Sequence, residues 1–118
     1  MRLLTKLALA MAFASAATAS AYASAPFDGT WSVQLTTQKG RCDPTYSWSV
    51  AVTDGRIDND GMFLQAAGSI DHHGRVRLQV THGADVLAAT GAARGRYASG
   101  AWRSPTMRCS GAWRAARS

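Results

Sequence analysis

The 118-residue chain contains no glutamate, and beyond residue 6 it contains a single lysine, Lys39. Both residues are good helix formers on exposed faces. Their scarcity, beside plentiful Gly, Thr, Ser, Val and Trp, argues for strands. No apolar run approaches the roughly 20 residues that a membrane-spanning helix needs. Low-complexity tails, charge blocks and Pro-rich linkers are also missing, so nothing divides the chain into separate globular parts. Cysteine is limited to Cys42 and Cys109, and histidine to His72, His73 and His82, which leaves little material for a metal site.

What is present begins with an export signal. Arg2 and Lys6 form a positive n-region, Leu7 to Ala14 supply a short apolar run, and Ala21-Tyr22-Ala23 offers a small-x-small cleavage site. Residues 1–23 are therefore expected to be a cleavable secretory signal peptide. Residues 24–118 are expected to form a single domain, periplasmic or secreted, with no transmembrane segment after processing. Removing 23 residues from 118 leaves 95, enough for one core and too few for two. The mature chain would carry 11 basic residues, ten of them Arg, against seven Asp, making it a basic protein.

Export takes Cys42 and Cys109 to an oxidising compartment, where two thiols normally pair. A bond closing so long a loop stabilises by about 4 kcal/mol in the chain-entropy picture. The competing reading, a free catalytic thiol or a metal ligand, finds no His at ligand spacing from either cysteine.

Period-two alternation organises the rest. Trp31, Val33 and Leu35 share one face of a first strand, and Tyr46, Trp48, Val50 and Val52 one face of a second. Asp54-Gly55 makes a tight turn into a brief strand around Ile57, which ends at Asn59-Asp60-Gly61. Met62, Leu64, Ala66, Gly68 and Ile70 then face one way, as do Val76, Leu78 and Val80 after the turn Asp71 to Gly74. Turns at His82 to Ala84, Arg94-Gly95 and Ser104 to Met107 separate strands over Val86 to Ala93, around Trp102, and from Arg108 to Ala115. The total is about eight antiparallel strands.

Three copies of a small pattern stand out: Gly29-Thr30-Trp31, Gly100-Ala101-Trp102 and Gly111-Ala112-Trp113. Residues two apart on a strand face the same side, so an indole from a neighbouring strand can lie over each glycine. Such packing fills small barrels. A sharper reading makes Trp31, Trp48, Trp102 and Trp113 the walls of a ligand pocket at a barrel mouth. Cys42 follows the first strand and Cys109 opens the last, so their bond needs those points about 6 Å apart at the α-carbons. With an even strand count, the last strand runs antiparallel to the first. The expected fold is thus all-β, an eight-stranded antiparallel up-and-down barrel, closed or nearly closed, with one disulfide.

Phe27-Asp28-Gly29-Thr30-Trp31-Ser32-Val33, Lys39-Gly40-Arg41-Cys42-Asp43, Tyr46, Gly55-Arg56-Ile57, Gly74-Arg75-Val76 and Cys109-Ser110-Gly111-Ala112-Trp113 together resemble an uncharacterised family of small exported proteins of Gram-negative bacteria. The resemblance implies export and carries over no catalytic or binding residue. Ser47-Trp48-Ser49 and His72-His73 depart from that pattern.

Three chemistries fail on spacing. His72 and His73 share one turn and His82 sits in the next, about 20 Å away along a strand of 3.4 Å per residue. A three-His site is not expected, and Asp71 beside His72 and His73 reads first as a polar turn, so no metal and no cofactor are expected. Aligning Asp60-Gly61 with a calcium loop puts Arg56 first and His72 at the terminal position that requires Glu. No nucleophile-elbow pattern surrounds any Ser, and an enzyme is not expected.

Arginine is the remaining chemical signal. Arg75 and Arg77 alternate with Val76 and Leu78, and Arg108 and Arg114 flank Cys109 and Trp113, while Arg94, Arg96, Arg103 and Arg117 add charge nearby in sequence. Guanidinium groups make bidentate contacts with phosphate and carboxylate, and an exported protein meets both on anionic envelope polymers or acidic partner proteins rather than on nucleic acid. The plain alternative is a solvated basic face that supports solubility. A non-enzymatic binding module for an anionic envelope component follows as the expected function. A protease inhibitor of the small bacterial barrel type, or a small-molecule carrier with a Trp-lined interior, is the alternative.

Overall fold

Eight strands close on themselves in the computed structural model, which describes residues 26–59 and 65–118. They are β1 (Gly29–Lys39), β2 (Thr45–Thr53), β3 (Arg56–Asn59), β4 (Gln65–Ile70), β5 (Arg75–His82), β6 (Asp85–Arg94), β7 (Tyr97–Ser104) and β8 (Cys109–Arg117). Each pairs antiparallel with the next, and β1 also pairs with β8. The barrel is of the up-and-down type, and its shortest ladder joins β2 to β3 over Ala51 to Thr53 alone. The signal at 1–23 lies outside the described residues, as do Met62 and Leu64 of the expected fourth strand.

Alternation sorts the side chains as expected. Trp31, Val33 and Leu35 of β1 are buried, with Val50 and Val52 of β2, Ile57 of β3, Ala66 and Ile70 of β4, and Val76 and Val80 of β5. Leu87, Ala89 and Ala93 of β6, Ala98 and Trp102 of β7, and Cys109, Trp113 and Ala115 of β8 complete the core. Strand ends move by a residue or two from the sequence reading. The turn between β6 and β7 falls at Gly95-Arg96, one residue later than expected, because Arg94 still pairs with Tyr97.

The two adjacent copies of Gly-Ala-Trp pair with each other. Gly100 faces Trp113, Ala101 faces Ala112, and Trp102 faces Gly111. Each indole crosses the opposite glycine and donates its Nε1–H to a backbone carbonyl two strands away. Trp102 reaches Thr36 on β1 at 3.1 Å, and Trp113 reaches Thr90 on β6 at 3.0 Å. A methyl group at either glycine would run into the same carbonyl that its neighbour's indole uses. The glycines are thus required by close approach rather than by a turn.

The two ends of the barrel are built differently. At one end lie residues 26–28, the chain terminus and the turns after β2, β4 and β6. There Arg117 sets its guanidinium 5.6 Å from the Trp31 ring centroid and donates to the carbonyls of Pro26 at 2.7 Å and Asp28 at 3.1 Å. Trp31 Nε1 donates to Phe27 at 2.8 Å, and the Asp28 carboxylate accepts from the Asp54 and Gly55 amides at 2.7 and 3.0 Å. This end is closed.

At the opposite end the Cys42–Cys109 disulfide ties the β1–β2 connection to the start of β8, with an α-carbon separation of 6.1 Å. Gly40 has φ of 95°, and a side chain there would meet the Arg108 carbonyl and Cys109 Sγ. Only a glycine lets the loop pass so close to the disulfide.

Candidate functional site

The structure separates the four sequence-predicted arginines. Arg75 and Arg77 of β5 and Arg114 of β8 are exposed on the outer wall of the barrel. Arg75 pairs with Ala92, Ala92 with Ser99, and Ser99 with Arg114. Three interstrand steps of about 4.8 Å therefore put roughly 14 Å between the Arg75 and Arg114 backbones along one row. Arg108 does not join them. It lies beside the disulfide with φ of 57°, six residues from Arg114 and about 20 Å along the strand direction. Nor is Arg117 available, because it closes the far end of the barrel.

Two neighbouring rows on the outer wall define a groove. One row runs Ser47, Gln34, Arg114, Ser99, Ala92, and the next runs Ser49, Ser32, Ala116, Tyr97, Arg94. Ser, Ala and Gln keep the floor low, while Arg94, Tyr97 and Arg114 stand above it. The resulting concavity has a volume of about 870 Å³. Tyr97 is 70% exposed, an unusual position for a large ring. Arg114 Nε donates to Gln34 Oε1 at 3.3 Å, which orients its guanidinium over the groove. The groove offers two cations, an aromatic face and several hydroxyls to one extended ligand.

In the sequence Arg94 stands out only as nearby charge, and no motif singles out Tyr97, Ser32, Gln34, Ser47 or Ser99. Outward alternation with Trp31, Val33 and Ala98 was a signal for their facing. Nothing local said that β6, β7, β8, β1 and β2 stand side by side in this register.

Inside the barrel the four tryptophans also part company. Trp31, Trp102 and Trp113 are buried core residues, and Trp31 and Trp113 border a residual void of about 30 Å³. Trp48 is partly buried and lines a cavity of about 220 Å³ at the disulfide end, with Leu35, Tyr46, Val80, Leu87 and Met107. Local hydrogen bonds hold two of these walls. Ser104 Oγ donates to the Val86 carbonyl at 2.7 Å and accepts from the Met107 amide at 3.2 Å, and Tyr46 Oη accepts from the Asp43 amide at 3.2 Å.

His72 and His73 lie together in the β4–β5 turn, their ring centroids 4.7 Å apart and their planes tilted by 41°, while His82 sits at the other end of β5. Asp71 Oδ1 accepts from the backbone N–H groups of Arg75 and His73, each at 2.9 Å. The Arg75 amide bond does most to hold the Asp71 carboxyl below its ordinary value of 3.8; burial opposes it, and the His73 amide bond adds to the lowering. These contacts give Asp71 a turn-forming role. Among the described residues no three His, Cys, Asp or Glu side chains come together as a metal site. No family model, no curated protein and no solved structure matches this chain.

Proposed function

We propose that the protein is an exported, non-enzymatic binding module that takes an anionic component of the cell envelope in the groove on its outer wall. One observation carries this reading: Arg94, Tyr97 and Arg114 stand around a small-residue floor some 870 Å³ in volume. Guanidinium pairs suit phosphate or carboxylate, and an exposed ring suits the apolar face of a sugar. Arg75 flanks the groove through its pairing with Ala92 and would extend the site along a polymer. Export is supported by the leader at 1–23 and by the resemblance to small exported proteins of Gram-negative bacteria. Protease inhibition rests on barrel architecture alone.

Binding to purified lipopolysaccharide at low and high salt tests the assignment. Replacing Arg94 and Arg114 together by Gln is expected to weaken association at least about tenfold, with little change in unfolding, because exposed substitutions usually alter stability by less than about 0.5 kcal/mol. Wild-type binding is expected to fall as salt rises, since exposed charges are screened beyond roughly 8 Å at physiological ionic strength. Equal affinity of the double variant and the wild type would refute the groove as the site.

A further inference from the structure

The outer wall spaces its cations apart rather than gathering them at one point. Arg75, Arg94 and Arg114 stand on β5, β6 and β8, and the register puts their backbones roughly 8 Å (Arg75 to Arg94), 12 Å (Arg94 to Arg114) and 14 Å (Arg75 to Arg114) from one another. Arg114 is also drawn away from the other two. Its Nε donates at 3.3 Å to Oε1 of Gln34, its neighbour on β1, while Ser99, the next step toward Arg75, lies on its other side. A compact anion seated on one guanidinium therefore leaves the others unused. Engaging all three requires a ligand whose acidic groups are spread along its length.

Between the charges the surface is neutral and rich in hydrogen-bonding groups. Ser32, Gln34, Ser47 and Ser99 line the groove, and among the described residues no acidic side chain does. The row from Ser47 on β2 to Arg75 on β5 crosses five interstrand steps, about 24 Å along the wall. Tyr97 pairs with Arg94 across one ladder and with Ala116 across the other, so its exposed ring stands beside a guanidinium and above a low floor. Hydroxyl and amide side chains answer the hydroxyls of a sugar, and the ring offers a face to its C–H surface. A chain made of phosphate alone has use for neither.

We propose, on the footing that the groove is the binding site, that its ligand is a linear polysaccharide bearing acidic groups on successive sugars and laid across the strands from β2 to β5. Arg114, Arg94 and Arg75 hold separate acidic groups, and Tyr97 stacks on a sugar between them. Each guanidinium contact is exposed and weak alone, so affinity is gained by engaging several at once, and the length of the ligand becomes the basis of selection.

Oligogalacturonates, linear chains with one carboxylate on each sugar, serve as probes in titration calorimetry at low salt, beside tripolyphosphate as a compact anion. Affinity is expected to rise at least about tenfold from the dimer to the hexamer, with tripolyphosphate binding no better than the dimer. The methyl-esterified hexamer, which keeps the sugars and loses the charges, should not bind. Arg75→Gln should weaken the hexamer at least about fivefold and make the rise with length level off at a shorter chain. Tyr97→Ala should weaken the hexamer and leave tripolyphosphate unchanged. Arg41→Gln, which removes an equal charge from the β1–β2 connection at the disulfide end, should bind the hexamer like the wild type. Wild-type affinity for the hexamer in the Arg94→Gln, Arg114→Gln double variant would refute the groove itself. Loss of binding in that variant, combined with no rise with length in the wild type, tripolyphosphate equal to the hexamer, or an unweakened Arg75→Gln, would leave the groove standing and overturn the extended acidic glycan as its ligand.

Discussion

Gly100 and Gly111 are decided by what lies over them. Each is crossed by the indole of the other's Gly-Ala-Trp copy, and each leaves room for a carbonyl that accepts an indole N–H from two strands away. Gly100→Ala would set its methyl against the Thr90 carbonyl and the Gly91 backbone, displacing the bond that Trp113 makes there. Overpacking of this kind costs about 1–3 kcal/mol. We expect Gly100→Ala to lower the urea midpoint accordingly and to perturb the Trp113 indole resonance. An unchanged midpoint would mean that the indoles do not depend on the glycine gaps. The pattern itself was legible as a packing device, because Gly and Trp two apart must share a face. That the copies at 100–102 and 111–113 pair with each other was not, since the pairing depends on the length of the β7–β8 connection and on its hydrogen bonds through Ser104.

At the scale of elements, the β4–β5 turn shows how a short acidic segment becomes a connection rather than a ligand site. Asp71 accepts two backbone N–H bonds within its own turn, which favours the ionised carboxyl and lowers its pKa in the folded protein. A depressed folded-state pKa contributes stability that is present above the unfolded value of about 3.9 and is lost as pH falls through the folded pKa. Between pH 5 and pH 2, the unfolding temperature of the wild type should therefore fall further than that of Asp71→Asn. The Asp71 side-chain carboxyl resonance should also titrate with a midpoint below 3.8. A midpoint at or above that value would show that the turn does not favour the ionised form. The turn residues Asp71 to Gly74 were legible because their chemistry is local, whereas the paired carboxylate bonds of Asp28 to the Asp54-Gly55 turn were not, as they join positions 26 and 27 residues apart.

For the molecule as a whole, the Cys42–Cys109 bond spans 67 residues and closes the ring of strands a second time, beside the β1–β8 ladder. A cross-link of that span acts mainly by restricting the unfolded chain, with about 4 kcal/mol expected in the entropy model. Reduction should lower the unfolding temperature while the β-type circular dichroism persists below it, because eight ladders remain to hold the barrel. Loss of that spectrum at room temperature on reduction would show that the ladders alone do not sustain closure. Asymmetry is the other property of this scale. Arg117 and residues 26–28 close one end, and the cavity lies at the end that the disulfide braces.

Side-chain period, turn residues and cysteine count sufficed to establish strands, their inward faces, the single disulfide and an even-stranded barrel, because each of these follows from neighbours a few residues apart or from two thiols with no other choice. They also marked Arg75, Arg77 and Arg114 as outward. Tertiary structure alone decided which outward residues meet. Register and closure bring Arg94, Tyr97 and Arg114 around one floor with Ser32 and Gln34 from the other end of the chain, and they remove Arg108 and Arg117 from that surface. The same holds inside: four tryptophans on inward faces looked equivalent in sequence, and only the reach of each indole to a carbonyl on another strand separated three satisfied core residues from Trp48. Alternation reports which side of the sheet a residue occupies, but its neighbours across the sheet are set by hydrogen-bonded register between strands far apart in sequence.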